Sequence, residues 1–130
     1  MRTGTFARNL LVARSGQMEP VDVRVSAIGG TLLIEVSGAA LGSAEVSRLR
    51  EHIDRAGGGE RPIVVDLSRV GGIERDALEM LREAWRGLGD RLRVVAPPAS
   101  QVLEALKHAR LRRFAVHGTL SGALAQVGGG

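Results

Sequence analysis

The side chains best suited to proton transfer or metal binding near neutral pH are three histidines, His52, His108 and His117. None stands in a HExxH or similar metal-binding spacing. His52 and His108 fall in stretches of helical periodicity and His117 closes an apolar run, so all three read as exposed or locally hydrogen-bonded. Gly71-Gly72 would cradle a phosphate only within GxxxxGKS/T, or GxGxxG after a strand, and neither pattern is there. Ser68 has no glycine-framed elbow to present it as a nucleophile, and its hydroxyl is expected to tie down its own Asp66-Leu67-Ser68 turn. Glu74, Asp76, Glu79 and Glu83 are strung along one helical segment and do not converge as paired catalytic carboxylates do. The chain has no cysteine, which removes disulfide, thiolate and Cys-based metal chemistry. The expectation is a protein that is not an enzyme and holds no metal or cofactor.

What remains is charge at helix ends. In Glu74-Arg75-Asp76 an arginine sits between two acids where a helix is about to start. Acids are favoured at that end by the exposed backbone amides and a cation is opposed, while an exposed Arg–acid cluster contributes little to stability. Arg75 is therefore either a neutral surface residue or a fixed recognition charge. The run "KHARLRR", residues 107–113, ends another helical stretch, where cations suit the dipole; a contact patch for an acidic partner is the alternative.

The formal charge of +4 does not by itself point to nucleic acid. Lys107 is the one lysine among 18 basic residues, and acids are interspersed from Glu19 onward. Phe6, Trp85 and Phe114 are the only aromatics, too few for a stacking platform. No specific nucleic-acid binding is expected.

These residues need elements to hold them. Val21, Val23, Val25 and Ala27 alternate with Asp22, Arg24 and Ser26, the period of a half-buried strand. Gly29-Gly30 then separates that run from Leu32, Ile34 and Val36, so 21–37 reads as a hairpin. "GSAEVSRLREHIDRAGGG" is a helix with Ser43 as its expected N-cap, ended by glycines. Pro62 opens a strand over 63–67 that stays apolar until Asp66, as a strand buried on both faces would. The helix from Glu74 carries Ile73, Ala77, Leu81, Ala84 and Leu88 on one stripe. "RLRVVA" is a short strand, "PPASQVLEALKHAR" a helix whose prolines suit a first turn, "FAVH" a last strand and "TLSGALAQV" a last helix. The order β-β-α-β-α-β-α-β-α predicts a small mixed α/β sheet, an antiparallel hairpin followed by parallel strands with right-handed crossovers, covered by about four helices. Functional surfaces in such sheets gather at the carboxyl ends of parallel strands, where 63–81 turns.

One domain over residues 21–127 is expected, with a flexible N-terminal tail at 1–20 and a C-terminal tail at 128–130; a partner-docking arm is the other reading of the N-terminal segment. The apolar run 10–13 is short for a signal-peptide core, no later segment suits a membrane span, and a cytoplasmic location with no membrane insertion is expected.

The element order, and above all "IVVDLSRVGGI" followed by a helix start and "ALEML", resembles the STAS domain family known from bacterial anti-sigma factor antagonists. The hairpin, the first helix and "RLRVVAPPASQVLEALKHARL" support the resemblance, which covers roughly 21–127. It implies a non-enzymatic regulator of sigma-factor availability that binds an anti-sigma factor or GHKL-type kinase. The kinase would phosphorylate a serine at the start of the second helix. The family's Asp-Ser-Ser/Thr-Gly-Leu motif, set on Leu78, places Glu74 at the Asp, Arg75 at the phosphoserine, Asp76 at the next hydroxyl and Ala77 at the Gly. All four depart from it, and no phosphorylation is expected at Arg75. Gly72 replaces the family's hydrophobic residue before Ile73 and is expected to loosen the loop. The partner surface implied is Ser68, Arg69, Gly71, Gly72, Glu74, Arg75, Asp76 and Glu79. Two alternatives share the fold: a STAS subunit docking on an ABC-type transport ATPase, and a nucleotide- or small-ligand-sensing STAS domain.

Overall fold

The computed structural model describes residues 21–57, 59–110 and 116–128. The N-terminal segment, Phe114 and Ala115 of the expected last strand, and residues 111–113 of the basic run lie outside these.

Alternation makes the first two strands, β1 (Asp22–Ile28) and β2 (Thr31–Gly38), antiparallel from Asp22↔Ser37 to Ile28↔Thr31. The turn between them puts Gly29 at φ 61°, a conformation an L side chain adopts only with strain. Then come α1 (Ser43–Gly57), β3 (Ile63–Val70), α2 (Arg75–Leu88), a 3-10 turn at Gly89–Arg91, β4 (Leu92–Val95), α3 (Gln101–His108), β5 (Val116–His117) and α4 (Leu120–Gly128). The sheet order is β1-β2-β3-β4-β5, with every pair after the hairpin parallel, as expected.

That order decides the layers. Successive crossovers of one hand, stepping in one direction across the sheet, put their helices on the same face. The main core accordingly joins Ile34, Val36, Ile63, Val65 and Leu67 of the sheet to Leu49 and Ile53 of α1, Ala77, Met80 and Leu81 of α2, and Val102 and Leu106 of α3. On the opposite face α4 brings Ala123 against Leu33, Val64 and Val95. β3 is apolar on both sides because both layers reach it: Ile63, Val64, Val65 and Leu67 are all fully buried.

Three local expectations need correction. α1 begins at Ser43, so the cap position is Gly42, whose amide donates to Glu45 Oε1 at 3.3 Å; Ser43 is the first helical residue and not the cap. The prolines do not begin α3. Pro97 and Pro98 belong to the preceding turn, and Ser100 caps the helix by accepting from the Leu103 amide at 3.1 Å while donating to Pro97 O at 2.7 Å. β3 does not turn at Ser68 but runs on to Val70, past a bulge.

Candidate functional site

Two loops leave the carboxyl ends of neighbouring parallel strands, 38–42 after β2 and 71–74 after β3, and each feeds a helix. They extend the sheet's pairing beyond its strands. Gly71 N donates to Gly38 O at 3.1 Å, Leu41 N to Gly72 O at 3.0 Å, and Glu74 N to Leu41 O at 2.9 Å, with a parallel bridge between Leu41 and Ile73. Leu41 is fully buried beneath the pair. The loop with Gly72 is thus pinned by backbone bonds on both sides of that glycine; it is not loosened by it.

Small residues make this close approach feasible. A Cβ on Gly71 would stand 2.6 Å from Ala39 O, a backbone atom with little freedom to move. A Cβ on Gly42 would meet the Glu74 carboxylate at 2.5 Å, which places that side chain over the start of α1. Gly72 is different: a Cβ there would make ordinary contact with Gln101 Oε1 at 3.6 Å.

The bridge also sets the helix starts in step. Two residues past Leu41 comes Ser43, the first residue of α1; two past Ile73 comes Arg75, the first of α2. Glu74 holds the N-cap backbone geometry of α2, φ −92° and ψ 167°, without a side-chain capping bond, consistent with Glu being a poor cap. Glu74, Arg75, Asp76 and Glu79 are all exposed, so this end of the molecule presents three carboxylates around one guanidinium.

Of the residues expected to form one partner surface, the structure brings Gly71, Gly72, Glu74, Arg75 and Asp76 together on the loop pair, with Glu79 one helical turn further on. Ser68 and Arg69 belong to strand β3 itself. Glu35 pairs with Asp66 and Ser37 with Arg69, so Leu67 and Ser68 together face Val36 across a bulge. Asp66, only 8% exposed, accepts at Oδ1 from the Ser68 amide at 3.0 Å and from the Ser68 hydroxyl at 2.6 Å. It is the Asp66 carboxylate that ties down the backbone here, inside the strand, and the serine hydroxyl bonds that carboxylate and not its own backbone. Arg69 turns to the sheet face away from α1–α3, where it lines a cleft of about 100 Å³ with Asp22, Arg24, Glu35, Ser37 and Asp66. Arg24 is ion-paired there with Asp22 at 3.1 Å.

Sequence reasoning missed the other half of the surface, loop 38–42. Its signal was "SGAALGS", small residues followed directly by a helix, the composition that lets two backbones meet. The histidines behave unequally. His52 is half-buried and His108 exposed. His117 departs from expectation: its Nε2 is buried with no hydrogen-bond partner, and Arg93 Nε on the neighbouring strand is in the same condition. Burial, and secondarily the Arg93 charge, lowers the His117 pKa below its ordinary 6.5. Among the described residues no group of His, Asp or Glu is placed to hold a metal ion. No helix of the described residues is long and apolar enough to cross a membrane.

No family model matches the sequence, and no curated protein matches it. Solved structures do. An anti-sigma factor antagonist from Mycobacterium paratuberculosis superposes with TM-score 0.73 at 24% identity, over 83% of this chain and 94% of that one. An anti-sigma-factor antagonist (STAS) domain protein from Planctomyces limnophilus gives 0.67 at 20%, over 82% and 98%. A murine Slc26a9 anion transporter in its inward-facing state gives 0.65 at 14%, over 95% of this chain and 24% of that chain. The chain has the STAS fold.

Proposed function

We propose that this chain is a non-enzymatic protein-interaction regulator of the anti-sigma factor antagonist kind, which binds an anti-sigma factor or GHKL-type kinase without a phosphoserine switch. The observation that carries the reading is the loop pair 38–42 and 71–74, joined by backbone hydrogen bonds and leading into the exposed charges at the start of α2, on the fold shared with anti-sigma factor antagonists. Its centre at the first position of α2 is a guanidinium, where the family resemblance calls for a hydroxyl. Arg75 offers no hydroxyl for a serine kinase to phosphorylate, so binding at this surface persists without release by the phosphoserine switch.

Within the surface, Gly71 and Gly72 set the backbone and Glu74, Arg75, Asp76 and Glu79 carry the charge. Three carboxylates spaced around one arginine recognise a complementary constellation and not a uniformly charged partner. Ser68 and Arg69 contribute from the strand behind. The seven-strand-residue span of β1 and the helices supply the scaffold of a single domain over 21–127, located in the cytoplasm where a sigma factor works.

Affinity capture from the native cell, followed by reconstitution of the captured protein with the purified chain and ATP, tests this. A GHKL-type kinase that binds equally before and after ATP, with no phosphate on residues 68–79, is the expected result. Capture of an ABC-type ATPase would transfer the chain to the transport alternative, and phosphate at Ser68 would mean that the switch had moved.

A further inference from the structure

α1 and α2 lie side by side over the main core, and because β2, β3 and β4 are parallel the two helices run in the same direction. Between their second halves is a groove of about 440 Å³, within the size range of small-molecule sites. Its floor is apolar. Ile53 and Met80 are almost fully buried, and Ala84 and Leu88 pack half-buried against the same core.

The rim is built in two steps, one helical turn apart. At the first, Arg50 of α1 reaches across to the Glu83 carboxylate of α2 and forms an ion pair over the groove. One turn on, α1 presents Asp54 and α2 presents Gly87, each four residues beyond its predecessor and so on the same helix face. A cation opposite Asp54 would repeat the ion pair with its polarity reversed, but the chain places no side chain there. Among the described residues the Asp54 carboxylate takes part in no hydrogen bond or ion pair. Glycine is a weak helix former, and no neighbour of Gly87 demands one: a Cβ there would have nothing within 4 Å. The gap is open space and not a close approach.

Charge selects the occupant. The lining groups carry two carboxylates, Asp54 and Glu83, against the one guanidinium of Arg50. Near Asp54 and Gly87 the groove also reaches the last turns of two parallel helices, whose free carbonyls favour a cation. The last-turn bases Arg55 and Arg86 do not line it.

We propose that this groove binds a small apolar primary amine, with its ammonium beside Asp54 above Gly87 and its alkyl chain on Ile53, Met80 and Leu88. The ligand supplies the side chain that Gly87 lacks. A neutral or anionic compound of the same shape gains no ion pair there, which makes the site selective for cations. The proposal is independent of the partner reading above: the groove occupies the second halves of helices whose first residues belong to the loop platform, so either can fail alone.

n-Hexylammonium, n-hexanol and hexanoate, matched in length and differing in charge, are titrated at neutral pH and low ionic strength into the full chain carrying isotope at its methionine methyls and backbone amides. The expected result is a saturable shift of the Met80 methyl and of the Asp54, Gly87 and Leu88 amides with hexylammonium, weaker with hexanol and weakest with hexanoate. Asp54→Asn should reduce hexylammonium binding by roughly threefold, the scale of one exposed ion pair, to the level of hexanol. Gly87→Leu fills the groove from a position with room for a side chain and should abolish binding. Equal shifts from all three compounds would mean apolar adsorption without a cation site and would overturn the proposal. So would the absence of a saturable shift, or hexylammonium binding indifferent to either substitution.

Discussion

Two adjacent glycines give a sharp test of the loop platform, because the same substitution should act in opposite directions. At Gly71 an added Cβ meets Ala39 O at 2.6 Å, so one of the paired backbones has to move and the Gly71–Gly38 bond lengthens from 3.1 Å. Forcing atoms into a closed contact costs about 1–3 kcal/mol, and weakening one backbone hydrogen bond roughly another 1 kcal/mol. Against this stands a gain of about 0.4–1 kcal/mol from restricting the unfolded chain. Gly71→Ala should therefore destabilise by about 1–3 kcal/mol. At Gly72 the Cβ finds ordinary contact at 3.6 Å, and the backbone is not in the left-handed region. Only the unfolded-state gain remains there, so Gly72→Ala should be neutral or stabilising by up to about 1 kcal/mol. Urea unfolding followed by the fluorescence of Trp85, the one tryptophan and partly buried in the main core, reads the difference directly. With a slope near 1–3 kcal/mol per molar urea, the two midpoints should be separated by about 1 M. Equal midpoints, or Gly71→Ala above Gly72→Ala, would refute the close pairing of the loops.

Leu41→Ala should destabilise by about 2–5 kcal/mol, as expected for a fully buried leucine beneath that pairing, and a loss under 1 kcal/mol in the same urea assay would contradict its role. Ser100→Ala should cost about 1 kcal/mol through loss of the α3 cap, measurable as a lower melting temperature; no shift would count against the cap. His117 has a folded pKa below the ordinary 6.5, so the native chain favours its neutral form. Its contribution to stability is complete above that value and declines as pH falls through it, and His117→Gln should flatten this part of the stability–pH curve; an unchanged slope would assign it to other groups. Duplex DNA should bind only at low salt, without sequence preference, and chiefly through residues 1–19. Tight sequence-selective mobility shifts at physiological salt by a chain lacking them would overturn the protein-interaction reading.

The fold was legible because its signals are local. Alternation wrote β1 and β2, the glycine pair wrote their turn, and an unbroken apolar run wrote β3 as the strand reached by both layers. Their order and the handedness of crossovers then gave the layers. What escaped was whatever depends on a second segment. The bulge at Leu67 and Ser68 exists only relative to Val36, so a polar residue after an apolar run looked like a turn. Ser43 and the prolines at 97 and 98 satisfy cap and first-turn preferences on paper, but Gly42 has to pass beneath Glu74 and Ser100 is better placed to serve Leu103. The site was half legible for the same reason. Glu74, Arg75 and Asp76 announced a helix start through their charge, whereas loop 38–42 acquires its role only through backbone bonds to Gly71, Gly72 and Glu74. The burial of His117 Nε2 follows from strand pairing that its own neighbours in sequence do not reveal.

The most direct measurement is the affinity of the captured partner for the wild-type chain, for Arg75→Glu and for Arg55→Glu, compared at physiological salt. Both arginines are exposed and both substitutions change the net charge equally, but Arg75 opens α2 directly after loop 71–74 and Arg55 lies in the last turn of α1. If the platform is the recognition surface, Arg75→Glu should weaken binding by roughly tenfold or more, about 1.4 kcal/mol, while Arg55→Glu stays within about twofold. Equal losses from the two would leave only a general charge attraction and contradict a partner surface at the start of α2.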